Sequence, residues 1–378
     1  MTPAPRPHLA ALETAVHGGP NYAELERLGL TPDKVLDFSA NTNPTEPPVQ
    51  LRQLLADVSV ARYPDSDCLE LRRAAAERYG VDSDTVMAGN GSVELIRLLC
   101  AAFLGAGDSA LFGEPTFGEY EVATRLQGAE TLLYPVFPVA PSTPALSRLV
   151  ADTRPQLLFV CNPNNPTGHF TPPDELLTIA QANPETLIVV DEAYVDFVSG
   201  GRSVIRTGSP DNLAVLRSMT KFPALAGLRV GLLFAPAPVV AVLRKIQPPW
   251  SVNAMAQAAG TYVLRHVELG PDLPGLAQAE ALLRNELSTL GLNPRESSCN
   301  FFLLDVSSLP IQRNEGETAS GAARRALLGR RCLVRDCTSF GLPDHIRISV
   351  RKLEECRILV EAFRSLAEGS GDQRDKQP

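Results

Sequence analysis

Apolar positions in this chain recur in two alternating periods. Short runs of about four to six apolar or β-branched residues, bounded by Gly, Pro, Asn or Asp, predict buried strands at 85–88, 109–112, 130–136, 156–160, 186–190, 212–216 and 229–234. Between them lie stretches of helical period. Leu69–Tyr79 is one. Val93–Leu104 is another, with Leu95, Leu98, Leu99 and Phe103 on one face and Ser92 placed as N-cap. A third helix is expected after Glu114-Pro115-Thr116-Phe117. Seven strands with helices between them predict an α/β fold built on a doubly wound, mainly parallel sheet. From about residue 252 the pattern changes. A long helix, Asn253–Val267, leads to strands near 301–305, 332–335 and 345–350, the signature of a smaller α+β domain. The expected division is an N-terminal segment 1–48, a large domain 49–250, a small domain 251–366 and a frayed tail 367–378, rich in Gly, Ser and charge.

Composition changes this picture little. At 378 residues with 44% hydrophobic and 21% charged positions, the chain suits a globule of two domains. A net charge of -8 argues against a nucleic-acid partner. The seven cysteines show no Cys-x-x-Cys spacing and read as buried thiols of a reducing compartment; no metal site is expected. No run approaches eighteen apolar residues, so no membrane span is expected. Pro3, Pro5, Pro7 and Glu13 interrupt the apolar core a signal peptide needs, which points to a cytoplasmic protein.

The candidate chemistry sits where the expected strands end. Run 156–160 leads to Asn162-Pro163-Asn164-Asn165-Pro166-Thr167-Gly168, run 186–190 to Asp191-Glu192-Ala193-Tyr194, and run 212–216 to Arg217-Ser218-Met219-Thr220-Lys221. Ligands of open α/β sheets bind beyond the carboxyl ends of the strands, so Asn165, Asp191, Tyr194 and Lys221 are expected at one edge. A lysine beside Arg217 and Arg229 has cationic neighbours that disfavour its ammonium form and free the amine for covalent chemistry; alone, it is also compatible with a surface loop. Pyridoxal 5′-phosphate (PLP) requires this set: a carboxylate facing the ring nitrogen, donors for the phenolic oxygen and a lysine for the aldehyde. Gly89-Asn90-Gly91-Ser92 lacks the third glycine of a dinucleotide fingerprint, because position 94 is Glu. It reads instead as a phosphate cup, with the amides of Gly91, Ser92 and Val93 opening a helix towards an anion, joined by Ser218 and Arg229.

Taken together, Asn165-Pro-Thr-Gly, Asp191-x-x-Tyr194, Ser218-x-x-Lys221 and Arg229 resemble the fold-type I PLP enzymes of the class I/II aminotransferase superfamily over roughly residues 15–365. The resemblance implies a large domain with a mainly parallel seven-stranded sheet and a small α+β domain that the N-terminal segment joins. It also implies that Phe117 stacks on the cofactor ring, core packing being the other reading of that residue. Tyr63, in Arg62-Tyr63-Pro64-Asp65, would reach the cofactor phosphate from the partner subunit, so a homodimer with shared sites is expected. A non-catalytic protein of this fold would be expected to lack Lys221 or Asp191, and both are present.

Two further segments resemble threonine-phosphate decarboxylase of cobalamin biosynthesis: His17-Gly18-Gly19 with Asp37-Phe-Ser-Ala-Asn41-Thr-Asn-Pro44, and Pro249-Trp-Ser-Val-Asn253. Arg351, four residues after Arg347, fits the same pattern; Ser339-Phe340 and Pro20 depart from it. The implied reaction is decarboxylation of L-threonine O-3-phosphate to (R)-1-aminopropan-2-yl phosphate. The alternative is histidinol-phosphate aminotransferase, which exchanges amino groups with 2-oxoglutarate and glutamate. Either substrate is small and phosphorylated. Expected substrate contacts are Asn41, Asn165, Arg335 and Arg347, with His17, Gly18 and Gly19 as a small nest for phosphate oxygens. Pairing of an arginine with Asp336 or Asp344, and a plain loop role for His17, remain open at this point.

Overall fold

A computed structural model describes residues 4–200, 202–206, 208–270 and 275–368. The chain divides into two compact units, residues 4–15, 45–165 and 169–270 in the first and 16–44, 166–168 and 275–368 in the second. The expected tail lies, from residue 369 onward, outside the described residues; the last helix is Leu353–Ala367.

The first unit is built on a seven-stranded sheet, ordered Val86–Gly89, Gly231–Phe234, Leu213–Ser218, Leu187–Asp191, Leu157–Cys161, Ser109–Glu114 and Glu130–Pro135. Six strands run parallel. Gly231–Phe234 is antiparallel to both neighbours, pairing Gly89 and Ser218 with Gly231. Side chains along each strand alternate between two apolar layers. Leu158, Val160, Ile188 and Val190 enter one cluster with the helices Leu69–Tyr79 and Pro173–Ala182. Leu157, Phe159, Leu187 and Val189 enter the other with Leu95, Leu98 and Leu99. These continuous apolar runs are what a sheet covered on both faces demands.

The expected edges are adjusted at several points. Strand 229–234 begins at Gly231, because Arg229 ends a short turn at φ 60°. The helix begins at Ser92, and Gly91 at φ 75° is its N-cap, so Ser92 is not the side-chain cap. The helix expected over Asn253–Val267 runs Ala254–His266, capped by the Asn253 side chain, which accepts from the Ala256 amide at 2.8 Å. It packs on Leu69–Tyr79 so closely that a Cβ at Gly260 would lie 2.7 Å from Leu71, which puts the division near residue 271 instead of 251. Residues 4–15 likewise belong to the first unit.

In the second unit, Arg335–Asp336, His345–Ser349 and Phe301–Asp305 form an antiparallel sheet. The single strand expected near 332–335 divides: Cys332–Leu333 pairs in parallel with Leu36–Asp37, and the chain re-pairs after Val334. One sheet face, with Phe302, Leu304, Ile346 and Ile348, packs on Leu283, Leu287, Leu359 and Phe363 of flanking helices. All seven cysteines are buried. No helix among the described residues is long and apolar enough to cross a membrane. Replacing the fully buried Phe302 by Ala should destabilise the second unit by about 3–5 kcal/mol. Hydrogen exchange of the amides of 301–305 and 345–349 measures this, and unchanged protection would contradict the assigned core.

Candidate active site

Strand register brings three chain segments level in the first unit. Cys161 pairs with Asp191 and Asp191 with Leu216, so the turns that follow leave from one sheet edge. Asp191 is 3% exposed. Its Oδ2 accepts from the Tyr120 hydroxyl at 2.8 Å and its Oδ1 from the Ala193 amide at 3.1 Å. Burial pushes its carboxyl above the usual range, opposed by the Tyr120 hydrogen bond, the Ala193 amide and the charge of Lys221. The Lys221 Nζ lies 5.7 Å from the centre of the buried Tyr194 ring. The lysine turn is closed by Ser218 Oγ against Thr220 Oγ1 at 2.7 Å and by the Ala224 amide donating to the Lys221 carbonyl at 3.2 Å. Asn165 is buried in a loop fixed by its neighbours. The Asn162 amide donates to the Asp191 carbonyl, the Asn162 side chain brackets Thr171, and Asn164 accepts from Thr116.

The glycine turn is shaped by close approach. A Cβ on Gly91 would lie 2.7 Å from Nη2 of Arg229, and a Cβ on Gly231 would lie 2.6 Å from the Ser92 amide nitrogen. The arginine fork therefore lies over the helix start, where the first-turn amides of Ser92 and Val93 lack intrahelical partners. The Gly91 amide itself donates to the Gly89 carbonyl at 2.8 Å, so Gly91 contributes space and not the expected donor. Glu94 Oε2 accepts from the Asn90 amide at 2.6 Å and from Ser251 at 3.1 Å, tying the segment 249–253 to this turn. Phe117 is half-buried, with its ring edge-on to Tyr120 at 5.6 Å. Tyr63 is 79% exposed and stacks on Trp250 at 4.5 Å.

Arg217 is not a second cation beside Lys221. It lies on the other sheet face, paired with Glu192 and Asp196 and set over the Tyr79 ring at 5.5 Å. Burial pushes Glu192 up, opposed by the charge of Arg217.

The second unit carries its own polar cluster. Arg335 and Arg347, 6% and 4% exposed, are cross-strand partners. Arg335 Nη2 donates to the Val16 carbonyl at 2.8 Å and to Ser339 at 2.7 Å, both neutral. Burial, then the like charge of Arg347, pull its guanidinium down to about 10. Asp336 is engaged with Ser320 and Thr338. Arg347 Nη2 donates to the Ser39 carbonyl at 2.6 Å. Gly18 lies flat on that carbonyl, where a Cβ would sit at 2.4 Å. The Gly19 amide donates to Ser39 Oγ at 2.7 Å, so it is not open as the expected nest donor. His17 is exposed. Asn41 is 1% exposed, and neither polar atom of its side chain has a partner among the described residues. Arg351 forms a bidentate pair with Glu355, at 3.0 and 3.1 Å, which answers where its charge goes.

Sequence reasoning missed Tyr120, Glu94, Ser39 and the Glu192–Arg217–Asp196 cluster. Tyr120 left one signal: it follows Phe117 by three residues at a helix start, which puts both on one face.

The residues of the first unit fit PLP: a cradle that a single Cβ would fill, a helix N-terminus and arginine fork for the phosphate, a buried carboxylate and a lysine amine beside a tyrosine ring.

A family model described as aminotransferase class I and II matches residues 33–363. A histidinol-phosphate aminotransferase of Paramagnetospirillum magneticum is 32% identical over 96% of this chain and 98% of its own length. Among solved structures, an L-threonine-O-3-phosphate decarboxylase from Porphyromonas gingivalis aligns with TM-score 0.74 and 25% identity over 88% of this chain and 99% of its own. A histidinol-phosphate aminotransferase from Sinorhizobium meliloti, in complex with pyridoxal-5′-phosphate, aligns with TM-score 0.82 and 20% identity over 97% and 98%, which speaks for the fold. Replacing Gly231 by Ala pushes Cβ into the Ser92 and Gly91 backbone, so affinity for PLP should fall about tenfold or more with the circular dichroism unchanged. Unaltered affinity in an equilibrium titration would refute the cradle.

Proposed function

Because this chain belongs to the aminotransferase class I and II family, it is an enzyme that uses PLP, and we propose that it acts on the amine of a small phosphorylated substrate. In this reading Ser92, Val93, Ser218 and Arg229 hold the cofactor phosphate at the gap left by Gly91. Asn165 and Tyr194 would hold its phenolic oxygen, and Phe117 would cover its ring. Asp191, whose donors oppose the burial that raises its pKa, would face the ring nitrogen and hold a proton there. When bound, PLP draws electrons away from the substrate's α-carbon. Lys221 would hold the cofactor through Nζ and, once released by substrate, would move a proton at the substrate's α-carbon. Arg335 and Arg347 take the substrate's anionic groups, with Asn41, His17, Gly18 and Gly19 beside them. The protein is proposed to be a cytoplasmic homodimer in which Tyr63 serves the second copy's cofactor phosphate; a monomeric mass in sedimentation would overturn this.

The first reading is transamination of histidinol phosphate with 2-oxoglutarate. The observation that carries it is the 32% identity, over nearly the whole chain, to a protein of that name. The second reading is decarboxylation of L-threonine O-3-phosphate. It is favoured by His17-Gly18-Gly19 and Pro249–Asn253, and by two adjacent buried guanidiniums that suit a substrate bearing both phosphate and carboxylate. In both readings the same residues do the chemistry, and the anion contacts select which α-carbon bond is labile.

Purified protein loaded with PLP is mixed with each substrate in turn. Glutamate formed from histidinol phosphate and 2-oxoglutarate establishes the first reading. Carbon dioxide and aminopropyl phosphate formed from threonine phosphate, without glutamate, establish the second, and neither product overturns both. Lys221→Ala should abolish the visible absorption of the bound cofactor. Arg347→Ala should raise KM for the phosphorylated substrate about tenfold to a hundredfold with smaller change in kcat; an unchanged KM would remove Arg347 from the substrate contacts.

A further inference from the structure

We propose that Tyr120 is a positioning residue for the PLP chemistry, its hydroxyl fixing the Asp191 carboxylate while its ring fixes Phe117. This rests on the reading of Asp191 and Phe117 given above. Tyr120 is fully buried in the second position of the helix Glu119–Leu126. Three aromatic contacts clamp its ring: stacked on Phe159 at 4.8 Å and 9°, tilted against Phe112 at 6.2 Å, and edge-on to Phe117 at 5.6 Å. Phe159 lies on the strand beside that of Asp191, paired with Val189, so the clamp and the carboxylate share one rigid support. Held this way, the phenol oxygen reaches Asp191 Oδ2 at 2.8 Å.

Burial pushes the phenol's own proton loss far upward, so Tyr120 is a donor at every working pH. A donor to a carboxylate favours its ionised form, and here it opposes the burial that favours protonation. Since Ala193 holds Oδ1, both carboxylate oxygens are pinned and the group cannot rotate. The edge contact to Phe117 means that one side chain sets the attitude of two residues assigned to the ring.

Tyr120→Phe tests this because it keeps every ring contact and removes only the hydroxyl. Losing the donor raises the Asp191 pKa, so the carboxylate is lost at higher pH as acid is added. The acid limb of PLP affinity should therefore move up by about one pH unit, and affinity at neutral pH should fall about tenfold. In the Asp191→Asn background the same change should have little further effect, because the two groups act as one. A parent protein that binds PLP, with a Tyr120→Phe variant of unchanged affinity and acid limb, overturns this inference alone. A parent that shows no visible cofactor absorption overturns the cofactor reading itself. Independent, additive effects of the two substitutions would mean that the Tyr120 hydroxyl does not act through Asp191, and would overturn the inference.

Discussion

Burying the Asp191 carboxylate at the carboxyl edge of a parallel sheet is the demand that the first unit is organised to meet. A carboxylate removed from water is costly unless hydrogen-bonded, and burial here favours its neutral form. Three parts of the chain offset that cost: the Tyr120 hydroxyl from a helix, the Ala193 amide from the next turn, and the Lys221 charge from the turn after the adjacent strand. Because side chains of successive strand residues point to opposite faces, Glu192 needs a separate set, and it finds Arg217, Ser203 and the Val204 amide. Two acidic residues in sequence thus face two different environments.

The single antiparallel strand explains how the glycine turn at 89–92 and the lysine turn come together. Gly231–Phe234 lies between Val86–Gly89 and Leu213–Ser218, so its first residue pairs with the last of each. Gly231 then lies under the Ser92 amide, Arg229 over Gly91, and the Met219 amide donates to the Val230 carbonyl. A parallel strand in this place would carry these residues to the opposite edge. The left-handed conformation of Arg229 is the local cost of that geometry, of order 1–2 kcal/mol for a side-chain-bearing residue.

Much of this was legible because period and punctuation are local. The apolar runs located all seven strands of the large sheet; Asp191 closes one of them, and Asn165 and Lys221 lie in the turns that follow two others. What was hidden depends on partners far apart in sequence. Tyr120 meets Asp191 across 71 positions. Arg217 looked like a neighbour of Lys221, but strand alternation turns it towards Glu192. The Gly19 and Gly91 amides looked open until Ser39 and Gly89 were seen to take them. The break at Val334, between two different strand partners, leaves no trace in an apolar run. The boundary slipped to near 271 because a helix of ordinary pattern gives no sign of which unit it packs on.

The arginines of the second unit separate by the same accounting. Arg351 is matched by Glu355 in a two-point pair, so its charge is already answered within the fold. Arg335 donates to a carbonyl and a hydroxyl, and its proton is held less tightly than usual because it is buried and stands beside Arg347. Two like charges on facing strand positions repel, and that repulsion would be relieved by a dianion or by two anions on one molecule. An amine bearing phosphate alone and an amino acid bearing phosphate and carboxylate both meet this condition, but differently. The first must share one group between the two forks, whereas the second can give each its own. On the proposed function, the choice between transamination and decarboxylation would be one of how two guanidiniums divide the substrate's charge, because Lys221 and Asp191 would have the same place in either reaction.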